Sequence, residues 1–132
     1  MSHEILHPKH WKPARGYANG VAAEGRMVFT GGIIGWNANQ EFETDDFVGQ
    51  VARILRSIVE ILAEAGARPE HLVRLTWYVT DRRAYLDSLK ELGAVYKEII
   101  GRHYPAMALV QVAALVEDRA KVEIEATAVV PK

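Results

Sequence analysis

The chain has 132 residues, of which 49% are hydrophobic, and 16 lysine and arginine residues stand against 17 acidic ones. This length suits one domain, residues 1–132, with a single core. The formal net charge of −1 provides no general attraction for nucleic acid or anionic membranes. The lack of cysteine excludes disulfides, thiolate metal sites and a cysteine nucleophile.

The N-terminal half predicts two strands and a helix. Residues 17–22 and 27–33 are rich in strand-forming residues and flank a glycine-containing turn, which predicts a hairpin. Apolar residues at helical spacing predict a helix over residues 45–65, with Thr44 as its N-cap, two acids in its first turn and Gly66 at its end.

The C-terminal half predicts three more strands and one helix. Residues 71–79 predict a strand, and an amphipathic helix follows from Asp81 to Gly101. Residues 106–115 and 121–130 predict the last two strands. The order β-β-α-β-α-β-β indicates an α+β fold, a mixed sheet with two helices packed on one face. Because the helices cover only one face, we expect another subunit on the other.

No pattern for a nucleophile, a metal or a membrane segment stands out. The sequence has no G-x-S-x-G motif and no apolar run near the roughly 18 residues of a membrane span, so we expect a cytoplasmic protein. His3, His7 and His10 lie in a terminal segment interpreted as flexible, so we expect no functional metal site. His71 and His103 are interpreted as surface or boundary residues.

Two local patterns leave their roles open. The glycine-rich residues 31–35 follow a strand but lack a phosphate-binding motif, so they predict either a bulge or turn, or a close approach of ligand to backbone amides. Glu123 and Glu125 share strand parity and should point away from Val122 and Ile124. Two such acids are either solvated or, in an interface cleft, able to orient water or a substrate proton.

Six segments carry a family resemblance over nearly the whole chain. They are GYANGV (16–21), VFTGGIIGWN (28–37), AGA (65–67), VRLTWYVTD (73–81), YPAMALVQVAAL (104–115) and VEIEATAVV (122–130). In this order they are similar to segments of the RidA (YjgF-type) family of imine and enamine deaminases. The resemblance implies a chorismate-mutase-like fold and a homotrimer with clefts between subunits. It also implies hydrolysis of reactive imines or enamines to ketone and ammonia, with no metal or organic cofactor.

The resemblance also implies roles for individual residues. Tyr17 matches the tyrosine that lines the family's cleft, Gly32 matches a glycine whose backbone contacts substrate, and Glu123 matches the acid that holds the attacking water. Three positions depart from the family pattern. Met107 stands where the deaminases have an arginine after Pro-Ala, Gly93 stands where asparagine is common, and Ile33 stands where glutamine is common.

Met107 changes the expected substrate. Arginine grips a carboxylate through two hydrogen bonds, and losing such a contact costs about 1.5 to 3 kcal/mol, or about ten- to a hundredfold in affinity. We therefore expect poor binding of a standard 2-imino acid. Trp36, Trp77 or Tyr17 could complete an apolar pocket beside Met107, although core packing also explains the tryptophans. Arg15 is either a substitute cation or a solvated loop residue.

Three functions follow from these observations. The first is a deaminase-like hydrolase acting on an imine or enamine other than the common 2-iminoalkanoates. The second is a non-catalytic small-molecule-binding or regulatory trimer that keeps the cleft. The third, RNA cleavage or translation inhibition, is disfavoured because the chain has near-zero net charge and no basic-aromatic pattern, and we expect no nucleic-acid partner.

Overall fold

A computed structural model describes residues 3–132. The chain forms seven strands and three α-helices, with a 3₁₀ turn at Pro69–His71 before the fifth strand. In chain order they are β1 His3–Leu6, β2 Gly20–Ala23, β3 Arg26–Phe29, β4 Ile33–Ile34, α1 Phe47–Glu64, β5 Leu72–Val79, α2 Arg82–Leu86, α3 Leu89–Ile99, β6 Ala106–Gln111 and β7 Val122–Val130.

The main sheet has five strands, in the order β3-β7-β5-β6, with β4 also paired to β7. Strands β5 and β6 run parallel, and the other pairs are antiparallel. The α+β class with a mixed sheet is therefore confirmed. The parallel pair arises because α2 and α3 carry the chain back to the starting edge of β5 before β6 begins.

One face of this sheet is the core and the other is open. Leu75, Trp77 and Ile124 are buried in the cluster that also contains the apolar stripe of α1. The alternate residues of the same strands, such as Tyr78 and Glu123, lie on the opposite face. The prediction that the helices pack on one face is confirmed. We call the other side the open face.

The predicted hairpin between the first two strands is wrong. Strand β2 pairs with β1 in a separate two-stranded sheet, whereas β3 pairs with β7. Gly25 lies between them with φ 147°, and a Cβ there would be 2.0 Å from the carbonyl oxygen of Val130. Strand propensity identified both segments but does not specify partners. The partner of β2 is β1, which lies in the terminal segment interpreted as flexible. That interpretation is wrong for His3–Leu6, because these residues form a paired strand.

The first helix begins two residues later than predicted. Asp46 is its N-cap, and the Asp46 carboxylate accepts a hydrogen bond from the Gly49 amide at 2.8 Å. Thr44 was the predicted cap, but its hydroxyl instead accepts from the Asp46 amide at 3.0 Å. The two expected first-turn acids therefore precede the helix. Its end near Gly66 is confirmed, and Gly66 has φ 71°.

The second predicted helix is divided. Asp81 caps α2 by accepting from the Arg83 amide at 2.9 Å, as the sequence indicated, but α2 stops at Leu86. Asp87 and Ser88, whose short polar side chains compete with helical hydrogen bonds, separate it from α3. Strand β6 likewise ends at Gln111, four residues before its predicted end.

Gln50 on α1 fixes the loop that leads into β7. Its side chain is fully buried. The amide nitrogen donates to the carbonyl oxygens of Thr44 at 3.1 Å and Arg119 at 2.9 Å, and the amide oxygen accepts from the Lys121 N–H at 2.9 Å. The bonds to Arg119 and Lys121 hold the loop that leads into β7 against α1, and the bond to Thr44 holds the segment that precedes α1.

Within residues 3–132, no helix has the length and apolar character needed to cross a bilayer.

Candidate functional site

A cavity of about 440 Å³ lies on the helix side of the sheet, at its β6 edge. It is bounded by α2 and α3 above, by β6 and Trp77 below and by residues 15–17 at the mouth. Its volume falls within the range of about 300 to 1,000 Å³ that is usual for small-molecule sites. It brings together three of the predicted substrate-binding residues, Arg15, Tyr17 and Met107.

The strand register explains why these residues meet. Met107 lies opposite Leu75 and Leu109 lies opposite Trp77, so both β6 side chains point to the helix side. The segment that carries Tyr17 is held at the outer edge of β6, because the Ala18 amide donates to the Pro105 carbonyl at 2.9 Å. The Tyr-Pro-Ala-Met sequence therefore sets one wall of the cavity directly.

Aromatic rings supply most of the remaining walls. Tyr96 and Tyr104 stack with centroids 5.3 Å apart, and Tyr85 meets Trp77 edge-on with centroids 6.0 Å apart. Burial raises the pKa of both Tyr96 and Tyr85, so neither phenol is charged at neutral pH. The Tyr96 hydroxyl donates to the His103 carbonyl at 2.5 Å. Sequence reasoning used Tyr85 and Tyr96 only as helix-pattern residues and did not place them in a site.

The two tryptophans have different positions. Trp77 is only 3% exposed, belongs to the core and also forms the floor of the cavity. Its indole N–H is buried and has no hydrogen-bond partner in the described part of the chain. Trp36 contacts Phe42 and lines a separate depression beside α1, together with Ile33. Neither Trp36 nor Ile33 lines the Met107 cavity.

The cavity carries one charged group at its mouth. Among its described lining residues only Arg15 is of a charged type, and this side chain is exposed. Arg15 makes no ion pair with any residue between 3 and 132. The interior beside Met107 is therefore uncharged.

The remaining predicted site residues, Gly32 and Glu123, form a second group on the open face. A Cβ at Gly32 would lie 2.0 Å from Oε2 of Glu123, so the carboxylate rests directly on the glycine backbone. Tyr78 donates to Oε1 of Glu125 at 2.6 Å beside it. This hydrogen bond, with desolvation and the two nearby carboxylates, raises the pKa of Tyr78. The predicted shared orientation of Glu123 and Glu125 is confirmed.

The two groups do not share a cavity within one chain. Met107 and Trp77 face the helices, whereas Glu123 faces the other way across the sheet. We call the first group the cavity wall (Arg15, Tyr17, Trp77 and Met107) and the second the acid wall (Gly32, Tyr78, Glu123 and Glu125).

The histidines near the terminus bind protein groups. His3 donates to the carbonyl of His71 at 2.9 Å, and His7 donates to the carbonyl of Trp11 at 3.1 Å and accepts from Asn19 at 3.3 Å. His71 is buried at the start of β5, so only its placement at an element boundary is confirmed. Between residues 3 and 132, no three acidic, histidine or cysteine side chains are grouped as metal ligands.

Comparison with known proteins decides the family. The model of the family described as Endoribonuclease L-PSP, which includes the YjgF and RidA proteins, matches residues 8–130. The chain belongs to this family. The resemblance to RidA is thus confirmed.

The alignments with relatives from this family cover most of both chains. A RutC family protein of Aquifex aeolicus is 34% identical over 95 residues, 72% of each chain. The 2-iminobutanoate/2-iminopropanoate deaminase of Salmonella typhimurium is 32% identical over 116 residues, 86% of each chain. The crystal structure of the Rid-family protein YyfB from Yersinia pestis is 30% identical, with a TM-score of 0.85 over 98% of this chain and 100% of that one.

Proposed function

We propose that this RidA-family protein is a metal-free deaminase that hydrolyses a reactive imine or enamine other than a standard 2-imino acid. The observation that carries the proposal is the Glu123 carboxylate seated against the backbone of Gly32. A deaminase acting on 2-iminobutanoate and 2-iminopropanoate is a relative at 32% identity. Met107 is the reason to propose a substrate other than a 2-imino acid, because a thioether cannot pair with the substrate carboxylate as a guanidinium does.

In this mechanism the carbon of a protonated C=N bond is attacked by water. Glu123 orients the water and accepts one of its protons as the C–O bond forms, which leaves a carbinolamine. The carboxylic acid then returns the proton to the amino group. As the C–N bond breaks, the Glu123 carboxylate accepts the hydroxyl proton and passes it to the departing ammonia, so that the carbonyl compound and ammonium leave. Tyr17 and the backbone of Gly32 hold the substrate. No covalent enzyme intermediate is required.

We propose that the working unit is a homotrimer whose clefts join the cavity wall of one subunit to the acid wall of the next. Two observations support it. The open face exposes Met27 by 59% and Phe29 by 63%, a large apolar exposure for a sheet surface. The sheet also separates Met107 from Glu123 in one chain, so a cleft between subunits reunites the predicted site. A stable monomer in sedimentation at micromolar concentration would contradict this assembly.

The activity is tested with imines made in situ by an amine or amino-acid oxidase. Semicarbazide competes with water for the imine, so an active deaminase lowers the yield of semicarbazone and accelerates ammonia release. We expect Glu123→Gln to lose this acceleration, while Glu98→Gln on the exposed side of α3 keeps it. If a panel of imines with and without carboxylates shows no acceleration by the wild-type protein, the proposal fails.

Subunit complementation tests the shared cleft. Glu123→Gln inactivates the acid wall and Tyr17→Ala the cavity wall, so each variant alone should be inactive. After mixed refolding at equal amounts, about one quarter of the clefts in random trimers combine two intact walls and regain activity. A mixture as inactive as either variant would show that one chain supplies the whole site.

A second candidate is a non-catalytic small-molecule-binding trimer, which is favoured by the loss of the arginine at Met107. Here Glu123→Gln would change ligand affinity without removing any turnover. We further propose a cytoplasmic location, no organic cofactor and no nucleic-acid partner. Salt-sensitive RNA binding by the purified protein would overturn the last point.

A further inference from the structure

The interior of the Met107 cavity has the chemistry of an aromatic-binding pocket. Met107 and Leu109 from β6 flank the floor formed by Trp77, and the stacked pair Tyr96 and Tyr104 forms a side wall. Aromatic rings pack favourably edge-on or offset against one another, and a methionine sulfur adds a favourable contact at a ring edge.

A carboxylate has no matching place in this interior. Beside Met107 it would lose its hydration without gaining a cation, which is unfavourable for any buried anion. Arg15 is the charged lining residue, and it is exposed at the mouth, where water screens its attraction. The cavity therefore selects by apolar contact and not by charge.

We infer that this cavity holds an uncharged aryl group of the substrate, so that the preferred substrates are aryl or arylalkyl imines without a carboxylate. The inference rests on the proposed deaminase function and adds the substrate class to it. The reaction is R–CH=NH₂⁺ + H₂O → R–CHO + NH₄⁺, in which R carries the ring. The ring lies over Trp77, and the imine carbon projects from the mouth, past Tyr17, toward the acid wall of the next subunit.

Three imines separate the alternatives. Oxidase treatment of 2-phenylethylamine, 2-aminobutanoate and phenylalanine supplies an aryl group alone, a carboxylate alone and both together. We expect the wild-type kcat/KM to be at least about tenfold higher for the first imine than for the second, and no higher for the third than for the first. Equal or better turnover of 2-iminobutanoate would overturn the inference. A preference for the phenylalanine imine that Arg15→Ala abolishes would also overturn it.

Substitution of Met107 should change the substrate preference, and a second substitution at the same position serves as the matched control. Met107→Arg should raise kcat/KM for 2-iminobutanoate by about ten- to a hundredfold and lower it for the 2-phenylethylamine imine. Met107→Leu keeps an apolar side chain of similar size and should retain the aryl preference. If both variants behave alike, the charge at this position does not set specificity. Thermal melting of both variants checks that each is folded.

A binding measurement with an unreactive probe tests the aryl-binding cavity independently of the proposed deaminase function. We expect 2-phenylethanol, a neutral unreactive probe, to change the tryptophan fluorescence of the wild-type protein and of Glu123→Gln, whereas butanoate at equal concentration does not. Trp77→Phe should remove the response, since Trp11 and Trp36 lie outside the cavity. If imines are hydrolysed with no aryl binding or preference, only the inference fails. If the probe binds but no imine is hydrolysed, the proposed function fails and the aryl-binding cavity stands.

Discussion

Replacing Gly32 by alanine should disable the acid wall while leaving the fold intact. The added Cβ would stand 2.0 Å from Oε2, 2.8 Å from Cδ and 3.2 Å from Cγ of Glu123. Non-bonded carbon and oxygen atoms settle near about 3.5 Å, so the carboxylate must move by more than about 1 Å. Glu123 is a flexible side chain on the open face and can adopt another rotamer, and even a χ angle about 30° away from a rotamer costs only about 0.5 to 1.5 kcal/mol.

The effect on catalysis should be much larger than the effect on stability. A misplacement of about 1 Å in a catalytic group can cost about a hundredfold in rate, or about 2.7 kcal/mol in the activation barrier. We therefore expect Gly32→Ala to lower kcat/KM for imine hydrolysis by about a hundredfold. Its melting temperature should stay within a few degrees of the wild-type value.

Gly31→Ala is the matched control. A Cβ at Gly31 has no atom within 4 Å, so this neighbouring substitution should change neither activity nor stability. Adding Gly32→Ala to Glu123→Gln should cause no further loss, because both changes act on the same carboxylate. Equal rates for the Gly31 and Gly32 variants, or additive losses in the double variant, would refute the reasoning.

Three further predictions concern stability. Gln50→Leu leaves three backbone groups without their partner, and chemical denaturation should show a loss of about 2 to 4 kcal/mol. Desolvation lowers the pKa of His71, whose Nδ1 accepts from the Arg68 amide, so stability should fall as pH drops below about 6.5, by at most about 1.4 kcal/mol per pH unit. Denaturation at pH 7 and pH 5 should show a smaller fall for His71→Asn. Gly25→Ala should lower the melting temperature, because its Cβ meets the backbone oxygen of Val130.

Periodicity predicted the elements that bury one complete face. Helix α1 and strands β5 and β7 cross the core, so their apolar residues recur at the helical or strand repeat. Pairing was not predictable, because β2 and β3 present the same pattern to different partners. The position of the α1 cap depended on whether Thr44 or Asp46 faced the first free amides, which residue types alone do not decide.

The site was predictable in its residues and not in its arrangement. Strand parity placed Glu123 and Glu125 on one face, and the family resemblance identified Tyr17, Gly32 and Met107. That Met107 and Glu123 face away from each other required the register of β6, β5 and β7. The sequence did not predict that Tyr85 and Tyr96 line the cavity, because both fit the amphipathic pattern of a core helix.

The placement of Met107 and Glu123 on opposite faces has a consequence for how such a protein changes over time. The β5 backbone lies between the strands that carry them, so a substitution in the cavity leaves the packing of the Glu123 carboxylate against Gly32 untouched. In the proposed assembly, selectivity and hydrolysis are then separate modules that meet only across a subunit boundary. Gene duplication followed by changes at a few cavity positions can thus yield new substrate ranges while the hydrolytic apparatus is inherited whole.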